Sequence, residues 1–250
     1  MIKFLRNELE DYKILFRSLP SISVTLFVVA VVLMNLMANK EIQIDVPWFA
    51  LDCGLLISWL SFLSMDMITK RFGAKAAIKV SLFAAGVNLI VSAVLFGISN
   101  IPGNWSEYYN FENAVVNQAL NNTFGGTWYV LLGSVIAFII SSFVNNPLNS
   151  LIGNLCKNDN FISYALRSYI STAIGQFVDN LVFALIVSHT FFGWSLIQCI
   201  TCAITGALIE LLLEVIFSPL GYKVCRHWEK EHVGQAYIDF STKQNAGSEA

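Results

Sequence analysis

The residues best suited to chemistry lie within one apolar stretch, Arg167-Ser168-Tyr169-Ile170-Ser171-Thr172-Ala173-Ile174-Gly175-Gln176-Phe177-Val178-Asp179-Asn180. Hydroxyls, an amide and a carboxylate are hydrogen-bonding groups. An ionisable group inside a membrane span is costly and by default marks a functional site. The chemistry to expect is therefore recognition of a substrate. On a helix, Arg167, Ser168, Ser171, Thr172, Gly175, Gln176 and Asp179 share one half of the surface. Ile170, Ile174, Phe177, Val178, Leu181 and Leu185 share the other. From Arg167 to Asp179 the stripe rises roughly 18 Å, from the membrane edge to about its middle. Ser171, Thr172 and Gly175 would also serve simple helix packing through small residues. Gln176 and Asp179 fit packing less well, because a packing helix has little reason to bury a carboxylate.

The elements that position this stripe are apolar spans. Of 250 residues, 56% are hydrophobic and 13% charged. A soluble domain carries about 25% charged residues. The sequence predicts an all-α, polytopic integral membrane protein, a six-helix transmembrane bundle. Its spans run about Ser21 to Ala38, Phe49 to Ile68, Ala76 to Ile98, Trp128 to Ile152, Tyr164 to Ser188 and Ser195 to Phe217. Residues 1–20 form an N-terminal segment, 21–222 the six-helix transmembrane domain, and 223–250 a charged tail whose last ten or so residues read as disordered. Pro147 predicts a kink. The connection from Ser99 to Thr127 has no Lys or Arg and is rich in Asn and aromatics, which suits a cover for the outer mouth. A short helix is expected there near Glu112 to Leu120.

Of the 15 Lys and Arg residues, 14 fall on one side of this map and only Lys40 on the other. The positive-inside rule then puts both termini in the cytoplasm.

Other polar positions recur at helical spacing. Asn35 and Asn39 close the first span on one face. Asp52, Trp59 and Asp66 recur every seven residues, and Asp66 precedes Lys70 at i, i+4. Asn88 is nearly the sole polar feature of the third span. Ser142-Phe143-Val144-Asn145-Asn146 echoes Gln176-Phe177-Val178-Asp179-Asn180, as in a weak inverted repeat. Glu210 and Glu214 share a face of the sixth span.

Several classes are excluded. No basic patch or aromatic–basic motif serves a nucleic acid. His189, His227 and His232 are dispersed, and no Cys/His cluster has metal-ligand spacing. Cys199 and Cys202, inside a span, read as two small residues on one face. An intramembrane enzyme needs a nucleophile and base within reach, and no GxSx motif is present. The chain is not read as an enzyme, and nothing calls for a cofactor.

In order and spacing, Ser171-Thr172…Gly175-Gln176…Asp179, with Asn35 ending the first span and Asp66…Phe72-Gly73 ending the second, resembles the queuosine precursor transporters, also called vitamin uptake transporters of the VUT type. The resemblance covers about residues 20 to 225. It implies uptake of queuine and related 7-deazaguanine bases across the inner (plasma) membrane, with lipid around the bundle and room for a homodimer. A guanine-like edge presents neighbouring N–H donors, which a carboxylate accepts as a charge-assisted pair. Asp179 is the candidate for that role and Gln176 for the O6 side or ring nitrogens. Thr172, Ser171, Asn35, Asn39, Asp66, Asn145 and Arg167 are expected around the same cavity, and Trp59, Phe177 or Trp128 to stack on the base, Phe177 being the weakest choice because it points away from the stripe. Arg167 at the cytoplasmic edge can equally snorkel. The alternative is a substrate-binding membrane subunit for another vitamin or nucleobase, energised by a separate ATPase module. A purely structural role is disfavoured by Asp52, Asp179 and Glu210, which cost energy without contributing recognition.

Overall fold

The computed structural model describes residues 2–42, 44–105, 114–155 and 161–246. Among these residues the fold is all-helical apart from one two-stranded hairpin. Helix α1 (Ile2–Ser18) precedes α2 (Ser21–Met37), and the two are bent by 106°. Pro20 sits at the bend as the N-cap of α2; lacking an N–H, it cannot continue the ladder of α1. Strands β1 (Glu41–Ile42) and β2 (Leu51–Asp52) pair antiparallel, Glu41 opposite Asp52. Helices α3 (Leu55–Phe72) and α4 (Ala74–Ser99) meet at Gly73, whose φ of +89° only glycine adopts without strain. Helix α5 spans Ala114–Leu155. Helix α6 (Phe161–Phe183) continues through a π turn, Ala184–Ser188, into α7 (His189–Phe191). Helix α8 (Leu196–Lys230) starts on a capping box between Ser195 and Gln198. Helix α9 (Gln235–Ala246) closes the chain.

Every predicted span has a helix: α2, α3, α4, α5, α6 and α8. Among the described residues, four stretches are long and apolar enough to cross a membrane: Ala74–Ser99, Val115–Ser141, Tyr169–Phe191 and Leu196–Lys230. Bent α1–α2 makes a fifth if counted as one span. Helix α3 is 18 residues long and carries Asp66, Lys70 and Arg71, so it is more polar than the rest. Outward faces of the long helices are apolar and exposed, at Leu89, Ile90 and Val94 on α4 and Leu208, Leu212 and Ile216 on α8. Such a continuous apolar surface belongs in lipid.

Two apolar clusters close the bundle at its ends. One gathers Leu15, Leu19, Ile68, Phe72, Trp228 and Tyr237. The other gathers Leu51, Leu55, Ala184, Trp194, Cys199 and Cys202. Between them lies a layer of buried polar groups on α2, α3, α4, α6 and α8, including Asn35, Ser58, Asn88, Gln176 and Glu210. Helix α5 and the π turn after α6 approach closely at Gly133, where a Cβ would collide with Val187 Cγ2.

The boundaries differ from expectation at three places. Helix α5 begins at Ala114, upstream of the expected Trp128, and absorbs the expected short helix. The preceding segment folds back on this extension: Trp105 N donates to Asn117 Oδ1 at 2.9 Å and Trp105 Nε1 to Asn121 Oδ1 at 2.6 Å. The backbone around Pro147, where a kink is expected, is helical on both sides, as it also is in a kinked helix. Helix α8 passes straight through the 222/223 boundary, with Cys225 and Trp228 buried. The tail is helical as far as Ala246, because α9 carries Tyr237 into the core beside α1, and the last part of the stretch expected to be disordered, 247–250, lies outside the described residues.

Reporter fusions in the 99–127 connection are expected to read external and fusions at either terminus cytoplasmic. A cytoplasmic signal from that connection would overturn the six-span map.

Candidate functional site

Asp179 opens into a pocket walled by α2, α3, α4, α5 and α6. Its polar lining is Asn35, Ser61, Ser81, Asn88, Ser134 and Asp179. The rest is apolar, with Phe27, Phe62 and Phe138 supplying aromatic wall. A mostly apolar cleft with a few convergent polar groups is the usual form of a small-molecule site.

Each polar group arrives by its helix register. Helix α6 carries Asp179 to the pocket, where Oδ1 accepts from Ser141 Oγ of α5 at 2.9 Å. Asn35, near the end of α2, donates through Nδ2 to Val31 O at 2.9 Å, which leaves its Oδ1 as an acceptor. Asn88 of α4 is 1% exposed, and its Nδ2 has no hydrogen-bond partner among the described residues. A buried amide donor without a partner is costly, so Asn88 offers a donor on the wall of the pocket.

The neighbouring residue on α6, Asn180, turns to a second polar node. A helix advances about 100° per residue, so Asn180 leaves the pocket and reaches α8. Its Nδ2 donates to Glu210 Oε2 at 3.0 Å. Ser58 of α3 donates to Glu210 Oε1. Gly206 makes room for this: a Cβ there would stand 2.8 Å from Asn180 Nδ2.

The expected site residues divide. Asn35 and Asp179 come together in the pocket. Ser171, Thr172 and Gln176 are buried on α6, though none of them lines it. Gln176 is 0% exposed, and neither of its amide atoms has a hydrogen-bond partner among the described residues. Asn39 lies one turn beyond Asn35, where its Nδ2 contacts Thr127 Oγ1 at 3.4 Å and its Oδ1 accepts from Tyr129 OH at 3.5 Å. Asp66 is half-buried on α3 and is not part of the pocket wall. Trp59 also lies off the wall: its ring stacks on Phe217 with centroids 4.3 Å apart. The wall takes Ser61, Phe62 and Met65 from α3, and Trp59 falls on another face of that helix. Trp128 is half exposed and stands edge-on to Tyr129 and Phe191. The side chains of Asn145 and Arg167 lie outside the described residues.

Ser58, Ser141 and Asn180 were not anticipated as site residues. Asn88 and Glu210 had a signal, each being a polar group deep in an apolar span. Ser141 opens the polar run that leads to Pro147, whereas Ser58 had no signal, since serine is ordinary in membrane helices.

Comparison with known proteins gives one finding. No curated protein and no solved structure matches the chain. A family model described as "Putative vitamin uptake transporter" matches residues 52–224, a stretch running from β2 to α8 that contains Asp179, Asn88 and Glu210. The match covers well over half of the 250 residues, and the chain belongs to that family of vitamin uptake transporters.

Proposed function

We propose that this protein imports queuosine precursors, queuine and related 7-deazaguanine bases, and holds the base in the pocket between α2 and α6. The observation that carries the reading is a carboxylate, Asp179, opening into a mostly apolar pocket whose wall includes three phenylalanines and the amides of Asn35 and Asn88. A guanine-like edge offers two adjacent donors to that carboxylate. The Asn88 amide suits the carbonyl on the other side of the ring. Phe27, Phe62 and Phe138 provide apolar surface for a flat base, where stacking is worth about 1–3 kcal/mol. Gln176, Thr172 and Ser171 support α6 from its buried face rather than touching the base. The setting is the inner membrane, with both ends of the chain in the cytoplasm.

Cells with and without the gene should differ in accumulation of labelled queuine. Equal accumulation would reject the substrate. Purified protein in liposomes, with no ATPase present, should also take up the base. Uptake that appears only with an added ATPase module would favour the subunit reading.

A further inference from the structure

The Glu210 node is not used by the pocket. Glu210 is 1% exposed in the middle of α8, between α3 and α6. Its oxygens accept from Ser58 and Asn180, two neutral donors. The charged or titratable groups whose charge acts on it are Asp179, on the pocket face of α6, Asp52 from the strand before α3, and Cys202 along α8, where Glu214 follows one turn on. None of these is cationic. A carboxyl buried among other acids, hydrogen-bonded to neutral donors and with no cation bound to it among the described residues, is a place for a proton.

The hydrogen bonding around it tolerates both states. Ser58 Oγ has one hydrogen and two acceptors, Glu210 Oε1 and Leu55 O, the latter at 3.0 Å. When Glu210 is ionised, Ser58 donates to it. When Glu210 is protonated, its O–H donates to Ser58 Oγ and Ser58 donates to Leu55 O. Every group stays satisfied without moving a heavy atom. A metal cation is a poor alternative occupant, because Asn180 presents an N–H rather than an oxygen.

A second observation places an unused polar group beside it. Tyr169 OH meets Ser218 Oγ at 2.6 Å, while Asn180 meets Glu210 and Gly206. Helices α6 and α8 therefore run antiparallel, and Gln176 falls opposite the turn from Glu210 to Glu214. Its amide is fully buried and makes no hydrogen bond among the described residues. That unspent capacity faces the inward side of the carboxyl and suits a polar guest on the way to it.

We propose that Glu210 is a proton-binding site that couples entry of substrate to entry of a proton. Asp179 and Asn180 are consecutive residues of α6, so one helix touches the pocket on one face and the proton site on another. Two carboxyls that act on each other share proton occupancy. A ligand that donates hydrogen bonds to Asp179 thus alters the proton occupancy of Glu210, and the linkage is reciprocal. One proton enters with one base and leaves Glu210 on the inner side. This rests on the transport reading but not on the identity of the base.

Two measurements test it. Infrared titration of the purified, substrate-free protein should show a protonated-carboxyl band that Glu210→Gln removes. Ser58→Ala should shift the midpoint of that titration, whereas Ser61→Ala should not. In liposomes held at zero membrane potential, an inward gradient of one pH unit should support about tenfold accumulation of labelled queuine by the wild type. Glu210→Gln keeps the size and hydrogen-bonding capacity of the protonated acid. It should bind queuine as the wild type does where Glu210 is protonated, without the pH dependence that Glu210 contributes, and melt as the wild type, yet only equilibrate the base. A missing Glu210 band, gradient-driven accumulation by Glu210→Gln, or accumulation driven by sodium in place of protons would each overturn the proposal. If queuine is not carried at all, the substrate assignment fails and the infrared titration alone decides for or against the proton site.

Discussion

Asp179→Asn should weaken binding of queuine roughly five- to hundredfold. The substitution keeps the size of the side chain and replaces one acceptor oxygen with a donor. Ser141 Oγ, which donates to Asp179 Oδ1 at 2.9 Å, can still donate to the remaining amide oxygen. The new N–H then faces an N–H of the base, and both are left unsatisfied at about 1–3 kcal/mol. Gln176→Ala should lose less, because that side chain is buried on α6 but does not line the pocket. Asn88→Ala should fall between them, since it removes one neutral donor from the wall. Affinity should be measured on purified protein whose melting temperature matches the wild type. Unchanged affinity in a normally folded Asp179→Asn would make Asp179 structural and move the site elsewhere.

The α6 stripe was legible because its signal is local. Hydropathy marks the span, and a period of 3.6 sorts Ser171, Thr172, Gln176 and Asp179 onto one half. That half is too coarse to decide partners. Asp179 and Gln176 share it, yet Asp179 reaches the pocket toward α5 while Gln176 is buried along the contact with α8. Only the packing of α5 and α8 on either side of α6 separates them. The same limit applies to Trp59. Seven-residue spacing grouped it with Asp52 and Asp66, but Asp52 belongs to a strand, so helical spacing does not relate it to the others. The aromatic wall was hidden for a different reason: Phe27, Phe62 and Phe138 have the composition of ordinary lipid-facing positions. Helix α5 was read short because Asn117, Asn121 and Asn122 look like loop residues. In the structure two of them hold Trp105 against the helix, a tertiary contact that outweighs weak helical propensity.

The end of the bundle where α1 packs on α4 carries the largest expected effect on stability. Lys79, on α4, is 5% exposed and binds Asp11 Oδ2 at 2.8 Å and Glu8 Oε2 at 2.7 Å, both on α1. Asp11 is 1% exposed. The ammonium also stands 4.8 Å from the centre of the Tyr12 ring. Nearby, burial and then the charge of Asp11 raise the Tyr237 phenol of α9 above its ordinary value, so it stays neutral. Lys79 therefore fastens α1 to α4, and α4 carries Ser81 and Asn88 to the pocket wall. Lys79→Met keeps much of the volume but leaves Asp11 and Glu8 without their buried cation. Removing one partner of a buried pair costs about 3–5 kcal/mol. The value should lie toward the lower end, because Lys75 Nζ still reaches Asp11 Oδ2 at 3.2 Å. Lys75 itself is half exposed, so Lys75→Met should cost about 1 kcal/mol or less. Adding Asp11→Asn to Lys79→Met should restore part of the loss, since it removes the stranded charge. Thermal unfolding of the four proteins in one detergent measures these differences. If Lys79→Met and Lys75→Met melt alike, the buried cluster does not hold α1 to α4.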